Sequence, residues 1–230
     1  LRNLIEINNN IKISYLYHSK RNKFLLSKNN KILKRKNLFD FYNFDMSFDN
    51  INDAVNYDPD IVFITNPTSL HVDYALKFYN SRRILFIEKP ISHSSFKLKK
   101  LYNLDKKQKR SYVYSGMQFR FNPLIKKTKL ILESGLIGSI NSGIFMNCEY
   151  LPDWHKYEDY KNSYASKKNL GGGSILTQIH ELDYVTWFFG RPNSVYSIGG
   201  KNSSLKIDVE DSVNTHLFYN KKTKFNLSII

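Results

Sequence analysis

The sequence predicts an α/β half built on a parallel sheet, followed by an α+β half whose open sheet is mainly antiparallel. Three observations carry that reading. Two short apolar runs, Ile61-Val62-Phe63-Ile64 and Ile84-Leu85-Phe86-Ile87, are continuous rather than alternating, as in parallel strands covered on both faces. Between them Val72, Ala75, Leu76 and Tyr79 recur at helical spacing. Beyond residue 138 strand-like runs outnumber helices, which favours antiparallel pairing.

Taken in order, residues 11–17 read as a first strand, and the Lys- and Asn-rich stretch that runs on to residue 37 reads as an irregular connection. Residues 49–55 form a short helix ahead of the turn pair Asp58-Pro59. The strand at 61–64, the helix after Asn66-Pro67-Thr68 and the strand at 84–87 follow. Ser94 or Ser95 then caps a helix marked by Leu98, Leu101 and Tyr102, and Tyr112-Val113-Tyr114 is the next strand. Such close alternation is the pattern of a parallel sheet joined by crossovers.

At Asn122 the pattern changes. Asn122 suits an N-cap, Pro123 the first helical position and Gly135 the residue just past the end, which bounds a helix over 122–134. Strand-like runs at 140–150, 194–198, 212–219 and 223–230 follow, interrupted by one helix near 177–189.

Composition narrows the function classes. A chain of 230 residues can bury a sizeable core. The formal charge of +15 invites a nucleic-acid reading, but the lysines are scattered among many Asn, Ile, Phe and Tyr and form no compact basic tract, so no nucleic-acid partner is expected. The single cysteine, Cys148, excludes an intramolecular disulfide, fits a reducing compartment and reads as strand packing. No apolar run approaches the roughly 18 residues of a membrane span, so a cytoplasmic protein without a membrane partner is expected. Leu1-Arg2-Asn3-Leu4 reads as the end of a helix already under way and the last strand stops without a turn, so a fragment shortened at both ends is expected.

Three motifs carry chemistry: Thr65-Asn66-Pro67-Thr68-Ser69-Leu70-His71 after one strand, Glu88-Lys89-Pro90 after the next, and the stretch from Gly171-Gly172-Gly173 to His180-Glu181-Leu182-Asp183. The first two fall at carboxyl ends of parallel strands, where open α/β sheets place ligands. In this order and spacing, together with Gly116-Met117-Gln118-Phe119-Arg120-Phe121-Asn122-Pro123, they resemble the Gfo/Idh/MocA family of nicotinamide-dependent oxidoreductases. The resemblance implies a Rossmann-type nucleotide-binding domain over 1–119, without its first strand and glycine loop, and a substrate-binding α+β domain over 120–230.

It also implies a hydride transfer, with NAD or NADP as cofactor and a sugar or sugar-derived hydroxyl or ketone as substrate. A bacterial surface-sugar pathway of the sialic or legionaminic type is the expected setting, and the full-length form is expected to be a homo-oligomer, dimer or tetramer. By the resemblance, Lys89 contacts the substrate hydroxyl and the nicotinamide ribose, and His180 is the acid/base. The chemistry is consistent with that. Oxidising a carbinol requires losing the hydroxyl proton, which imidazole can take, and an ammonium beside it stabilises a developing alkoxide. Thr65, Asn66, Pro67, His71 and Glu88 are expected to border the nicotinamide, and Ser19 with its basic neighbours to meet the adenosine ribose or a 2′-phosphate. Arg120, Trp154, His155, Tyr160 and Gln178 are the candidate substrate contacts, and no metal is expected. The aromatic segment 150–165 suits a carbohydrate, whose C–H faces stack on rings; an interface or a packed loop is the alternative.

Two departures from the family pattern stand out. No G-x-G-x-x-G turn occurs in the chain, and Thr177 occupies a position that commonly carries an aspartate, leaving Glu181, Asp183 or no carboxylate at all to orient the histidine. They motivate one rival, a catalytically silent sugar- or nucleotide-binding paralogue; the family resemblance itself implies another, NAD-dependent glycoside hydrolysis.

Overall fold

The computed structural model describes residues 2–8, 10–16, 24–26, 32–37, 42, 44–80, 82–219 and 223–229. They divide into two compact units, Leu1–Asp60 and Ile61–Ile230. In the smaller unit come helix α1 (Arg2–Ile7), strand β1 (Ser14–Leu16), strands β2 (Phe24–Leu26) and β3 (Ile32–Asn37), strand β4 (Met46–Phe48) and helix α2 (Ile51–Asn56). β1 and β4 pair in parallel, Tyr15 opposite Ser47. Asn50 caps α2, its side chain accepting from the Asn52 N–H at 2.8 Å. The basic stretch expected to be irregular carries instead the antiparallel pair β2–β3. Cross-strand backbone bonds build such a hairpin whatever the polarity of its side chains, so composition hides it.

The larger unit holds β5 (Ile61–Ile64), α3 (His71–Phe78), β6 (Ile84–Ile87), α4 (Ser95–Asp105) and β7 (Val113–Ser115). The three strands form one parallel sheet, Ile61 opposite Ile84 and Leu85 opposite Val113. Ser94 caps α4 by accepting from the Lys97 N–H. α3 buries Val72, Ala75 and Phe78 with Ile64, Leu85, Ile87 and Leu101, so the core lies on one side of the strands. The other side is not covered as expected: Ile61 and Phe63 stay 49% and 45% exposed. The alternation is present in the structure though absent from the sequence, because both faces of these strands carry apolar side chains.

Past a short 3-10 turn at Gln118–Phe121, α5 (Pro123–Glu133) is capped by Asn122, which accepts from the Leu124 and Ile125 N–H groups, and Gly135 follows it at φ +72°. Then come β8 (Ser142–Asn147), the one-turn helices α6 (Leu151–Trp154) and α7 (Ser174–Thr177), helix α8 (His180–Phe189), and strands β9 (Ser194–Gly200), β10 (Ser212–Tyr219) and β11 (Thr223–Ile229). The sheet runs β8-β11-β10-β9, antiparallel except for β8 with β11. Val185 of α8 packs against Leu217 and Tyr219, flanked by Phe145, Tyr184 and Phe189. Ile144, Met146, Tyr196 and Ile198 remain exposed. Cys148, read as strand packing, lies one residue beyond β8 and is exposed. Among the described residues no helix is long and apolar enough to cross a membrane.

Candidate active site

The parallel strands end in step. The Glu88 N–H donates to the Ile64 carbonyl at 2.9 Å and the Gly116 N–H to the Ile87 carbonyl at 2.8 Å, so the ladder runs one residue past β6 and fixes Glu88 at the rim. Glu88 Oε2 accepts from the Lys89 N–H at 3.0 Å. The Lys89-Pro90 peptide is cis. His71, only 1% exposed, faces the Pro90 carbonyl with Nδ1 (2.8 Å) and the Asn66 carbonyl with Nε2 (2.7 Å), tying the loop after β5 to the loop after β6. Asn66 Oδ1 is buried and has no hydrogen-bond partner among the described residues.

The glycine turn reaches this rim from the second half of the chain. Gly171, at φ +78°, lies so close that a Cβ there would meet Thr68 Cβ at 2.9 Å and His93 Cβ at 3.1 Å. At Gly173, φ +106°, a Cβ would collide with the Glu210 carboxylate, whose Oε1 accepts from the Ile175 N–H at 3.2 Å. Thr177 Oγ1 donates to the Gly173 carbonyl at 2.7 Å. These contacts present the Thr177 carbonyl to Lys89, whose Nζ donates to it at 2.5 Å across 88 positions of sequence.

His180 opens α8, is 5% exposed, and stacks on Phe119 with ring centroids 4.3 Å apart. Burial, and then the positive charge of Lys89, push its pKa down to about 4 against the opposing pull of Asp183. Its Nδ1 is buried without a partner among the described residues. Lys89 is lowered as well, because desolvation outweighs the attraction of Glu88, Glu149 and Glu181. Glu181, 5% exposed, is raised chiefly by burial. A side-chain chain runs alongside: Asn147 Nδ2 donates to Gln178 Oε1 (3.0 Å) and Gln178 Nε2 to Glu149 Oε2 (2.6 Å).

A cavity of about 410 Å³ opens next to this cluster, with Thr177, Gln178, Trp154, Tyr150 and Glu149 in its wall. Its charged lining residues among those described, Glu149, Glu210 and Asp211, are all acidic.

Lys89 and His180 are therefore brought together, with Thr65, Asn66, Pro67 and Glu88 at the neighbouring strand ends, and Trp154 and Gln178 in the cavity wall. Three candidate substrate contacts have other company. Arg120 forms a bidentate pair with Asp183, Nη2 to Oδ1 2.7 Å and Nε to Oδ2 2.9 Å, and lies over Trp187. His155 stacks between Trp154 and Tyr157 and meets Glu158 Oε1 through Nδ1 at 2.9 Å. Tyr160 Oη accepts from the Lys206 N–H at 3.4 Å. Ser19 lies outside the described residues. Sequence reasoning missed Phe119, Asn147 and Glu149. An acid just past an apolar strand was a visible signal for Glu149, whereas nothing local marks the stack on Phe119.

Comparison with known proteins agrees with this architecture. The profile "Oxidoreductase family, NAD-binding Rossmann fold" matches residues 14–115, and "GFO/IDH/MocA C-terminal domain" matches residues 125–229. The chain belongs to the Gfo/Idh/MocA family of NAD-binding oxidoreductases. It is 25% identical over 184 residues to levoglucosan dehydrogenase of Pseudarthrobacter phenanthrenivorans, covering 69% of this chain and 46% of that protein. It is 28% identical over 142 residues to 2,7-anhydro-N-acetylneuraminate hydratase of Escherichia coli, covering 61% and 37%. In fold it matches myo-inositol 2-dehydrogenase from Lactobacillus plantarum with a TM-score of 0.71 at 19% identity, over 83% of this chain and 57% of that one. The chain thus spans less than half the length of the two curated relatives.

Proposed function

We propose that the protein transfers a hydride between NAD or NADP and a hydroxyl or ketone of a sugar-like substrate, with Lys89 and His180 handling the proton. The observation that carries this reading is the Lys89 Nζ to Thr177 carbonyl bond, which sets the ammonium at the end of a parallel strand beside the buried imidazole. The strand-end residues suit the nicotinamide end of a dinucleotide: Asn66 offers a buried acceptor without a partner among the described residues, and Lys89 a partly buried ammonium. Bound cofactor supplies the hydride donor or acceptor. The chain supplies orientation and proton transfer. With His180 depressed to about 4, the pair carries one positive charge at neutral pH, on Lys89. A hydroxyl proton accepted by His180 would create a second charge beside the first, so it passes on rather than being stored. Trp154, Gln178 and Glu149 border the space for the sugar, the ring stacking on C–H faces and the polar groups meeting hydroxyls. The exposed apolar side chains Ile144, Met146, Tyr196 and Ile198 support a homo-oligomer.

The test is appearance of reduced nicotinamide when the chain is given inositols or sugars with NAD and, separately, NADP. Steady accumulation that Lys89→Met abolishes supports the reading, and none with any pair removes it. A redox-neutral conversion on a sialic-type substrate is the second reading, favoured by the hydratase among the relatives. There, product forms without net accumulation of reduced cofactor.

A further inference from the structure

A single turn of helix does not hold itself, because its first N–H groups lack intrahelical partners and nucleation is unfavourable. α7 is such a turn, and its last residue supplies the carbonyl that receives Lys89 Nζ. Its own sequence gives it no cap. Gly173, just ahead of it, has no side chain, and Ser174 Oγ is buried without a partner among the described residues. The missing acceptors come from the segment between β9 and β10: the Ser174 N–H donates to the Glu210 carbonyl at 3.1 Å and the Ile175 N–H to Glu210 Oε1 at 3.2 Å. The carboxylate takes the room of the absent side chain, since a Cβ at Gly173 would lie 2.3 Å from Oε1. Two neighbouring acids serve other loops. Asp208 accepts from the Lys168 N–H at 2.7 Å, and Asp211 from the Asn202 and Ser203 N–H groups at 2.7 and 3.1 Å. At the far end of α7 the Thr177 N–H and Oγ1 both donate to the Gly173 carbonyl, at 3.0 and 2.7 Å, so a shift at the start of the turn carries through to its end.

We propose that Glu210 is a positioning residue for Lys89: it caps α7 in place of a side chain at 173 and so sets where the Thr177 carbonyl meets the ammonium. The inference rests on the reading of Lys89 as the group beside the reacting hydroxyl. Glu210 also lies in the cavity wall, so one residue borders the space for the sugar and fixes the lysine. Lys89 is half-buried, and desolvation is the main cause of its lowered pKa. Released from Thr177, its Nζ regains water and titrates higher, whereas mere loss of a nearby negative charge would make it titrate lower. The sign separates positioning from direct electrostatics. The charged and titratable groups acting on Lys89 are Glu88, Glu149, Glu181 and His180, and each is kept in the variants used.

The experiment labels the full chain with acetic anhydride across a pH series and measures acetylation of Lys89 by peptide mass spectrometry. In Glu210→Ala the midpoint for Lys89 labelling rises by roughly half a pH unit or more, toward that of the exposed lysines. Glu210→Gln, which loses the charge but keeps an acceptor oxygen for the Ile175 N–H, leaves the midpoint near its original value. A midpoint that stays put in Glu210→Ala overturns the proposal, as does one that falls, the sign of a lost charge acting directly. A rise in Glu210→Gln as large as in Glu210→Ala overturns the assignment to the hydrogen bond. Should Glu210→Ala not fold, Glu210→Asp, one methylene shorter, withdraws the oxygen from the Ile175 N–H and raises the midpoint in the same direction; no movement there overturns the proposal. Labelling needs neither cofactor nor turnover. A raised midpoint in a protein that reduces no nicotinamide leaves Glu210 in its role and removes the enzymatic reading; turnover with an unmoved midpoint does the reverse.

Discussion

Two histidines of the larger unit are almost equally hidden from solvent, His71 at 1% and His180 at 5% exposure, yet their surroundings have little in common. His71 faces a backbone carbonyl with each ring nitrogen and spans two loops. His180 lies flat on Phe119, leaves Nδ1 without a partner among the described residues and sits in the field of an ammonium. Burial alone does not separate a histidine that ties loops together from the one proposed to take part in proton transfer. The partners of the ring do.

The contrast can be broken in several ways, beginning with the largest effect. Replacing Lys89 by Met is expected to cut turnover by about a hundredfold or more, the usual scale for a lost acid/base partner, and to let His180 titrate at higher pH by NMR. If turnover persists, the chemistry does not run through this pair. Acidification comes next. The folded pKa of His180, about 4, is depressed from the ordinary 6.5, so protons favour the unfolded chain. Its stabilising contribution is complete above about pH 6.5 and is lost as pH falls toward 4, on the order of 3 kcal/mol. Urea midpoints across that range should show the loss, and His180→Gln should flatten it.

His71→Phe sharpens the other side of the comparison. Leaving the Asn66 and Pro90 carbonyls without the ring should cost about 2 kcal/mol in denaturant unfolding. If His71 only anchors loops, turnover per folded molecule changes far less than in Lys89→Met. The smallest effect belongs to Arg120→Leu. Arg120 is 42% exposed, so solvent screening holds its pair with Asp183 to about 1 kcal/mol. A much larger loss of substrate affinity would return Arg120 to the substrate site.

Much of the scaffold was legible because its signals are local. The strands at 61–64, 84–87 and 212–219 and the Asn122, Pro123 and Gly135 boundary marks were all read from nearest neighbours along the chain. The β2–β3 hairpin was not, because Lys and Asn conceal backbone pairing. Lys89 and His180 were singled out by motif order rather than by physics. Which other side chains surround them depends on tertiary contacts: the Phe119 stack, the capture of Arg120 by Asp183 and the Asn147–Gln178–Glu149 chain have no periodicity to announce them. The same holds for His71, whose helical position says nothing of the two carbonyls it meets.

Gly171 rests against Thr68 and His93 with no room for a methyl group. The reach from the tip of one strand to the start of a helix some ninety positions later is therefore governed by missing atoms. Adding a single carbon there would wedge the two pieces of chain apart and lengthen the gap that Lys89 must bridge, disabling the site without altering any residue that does chemistry.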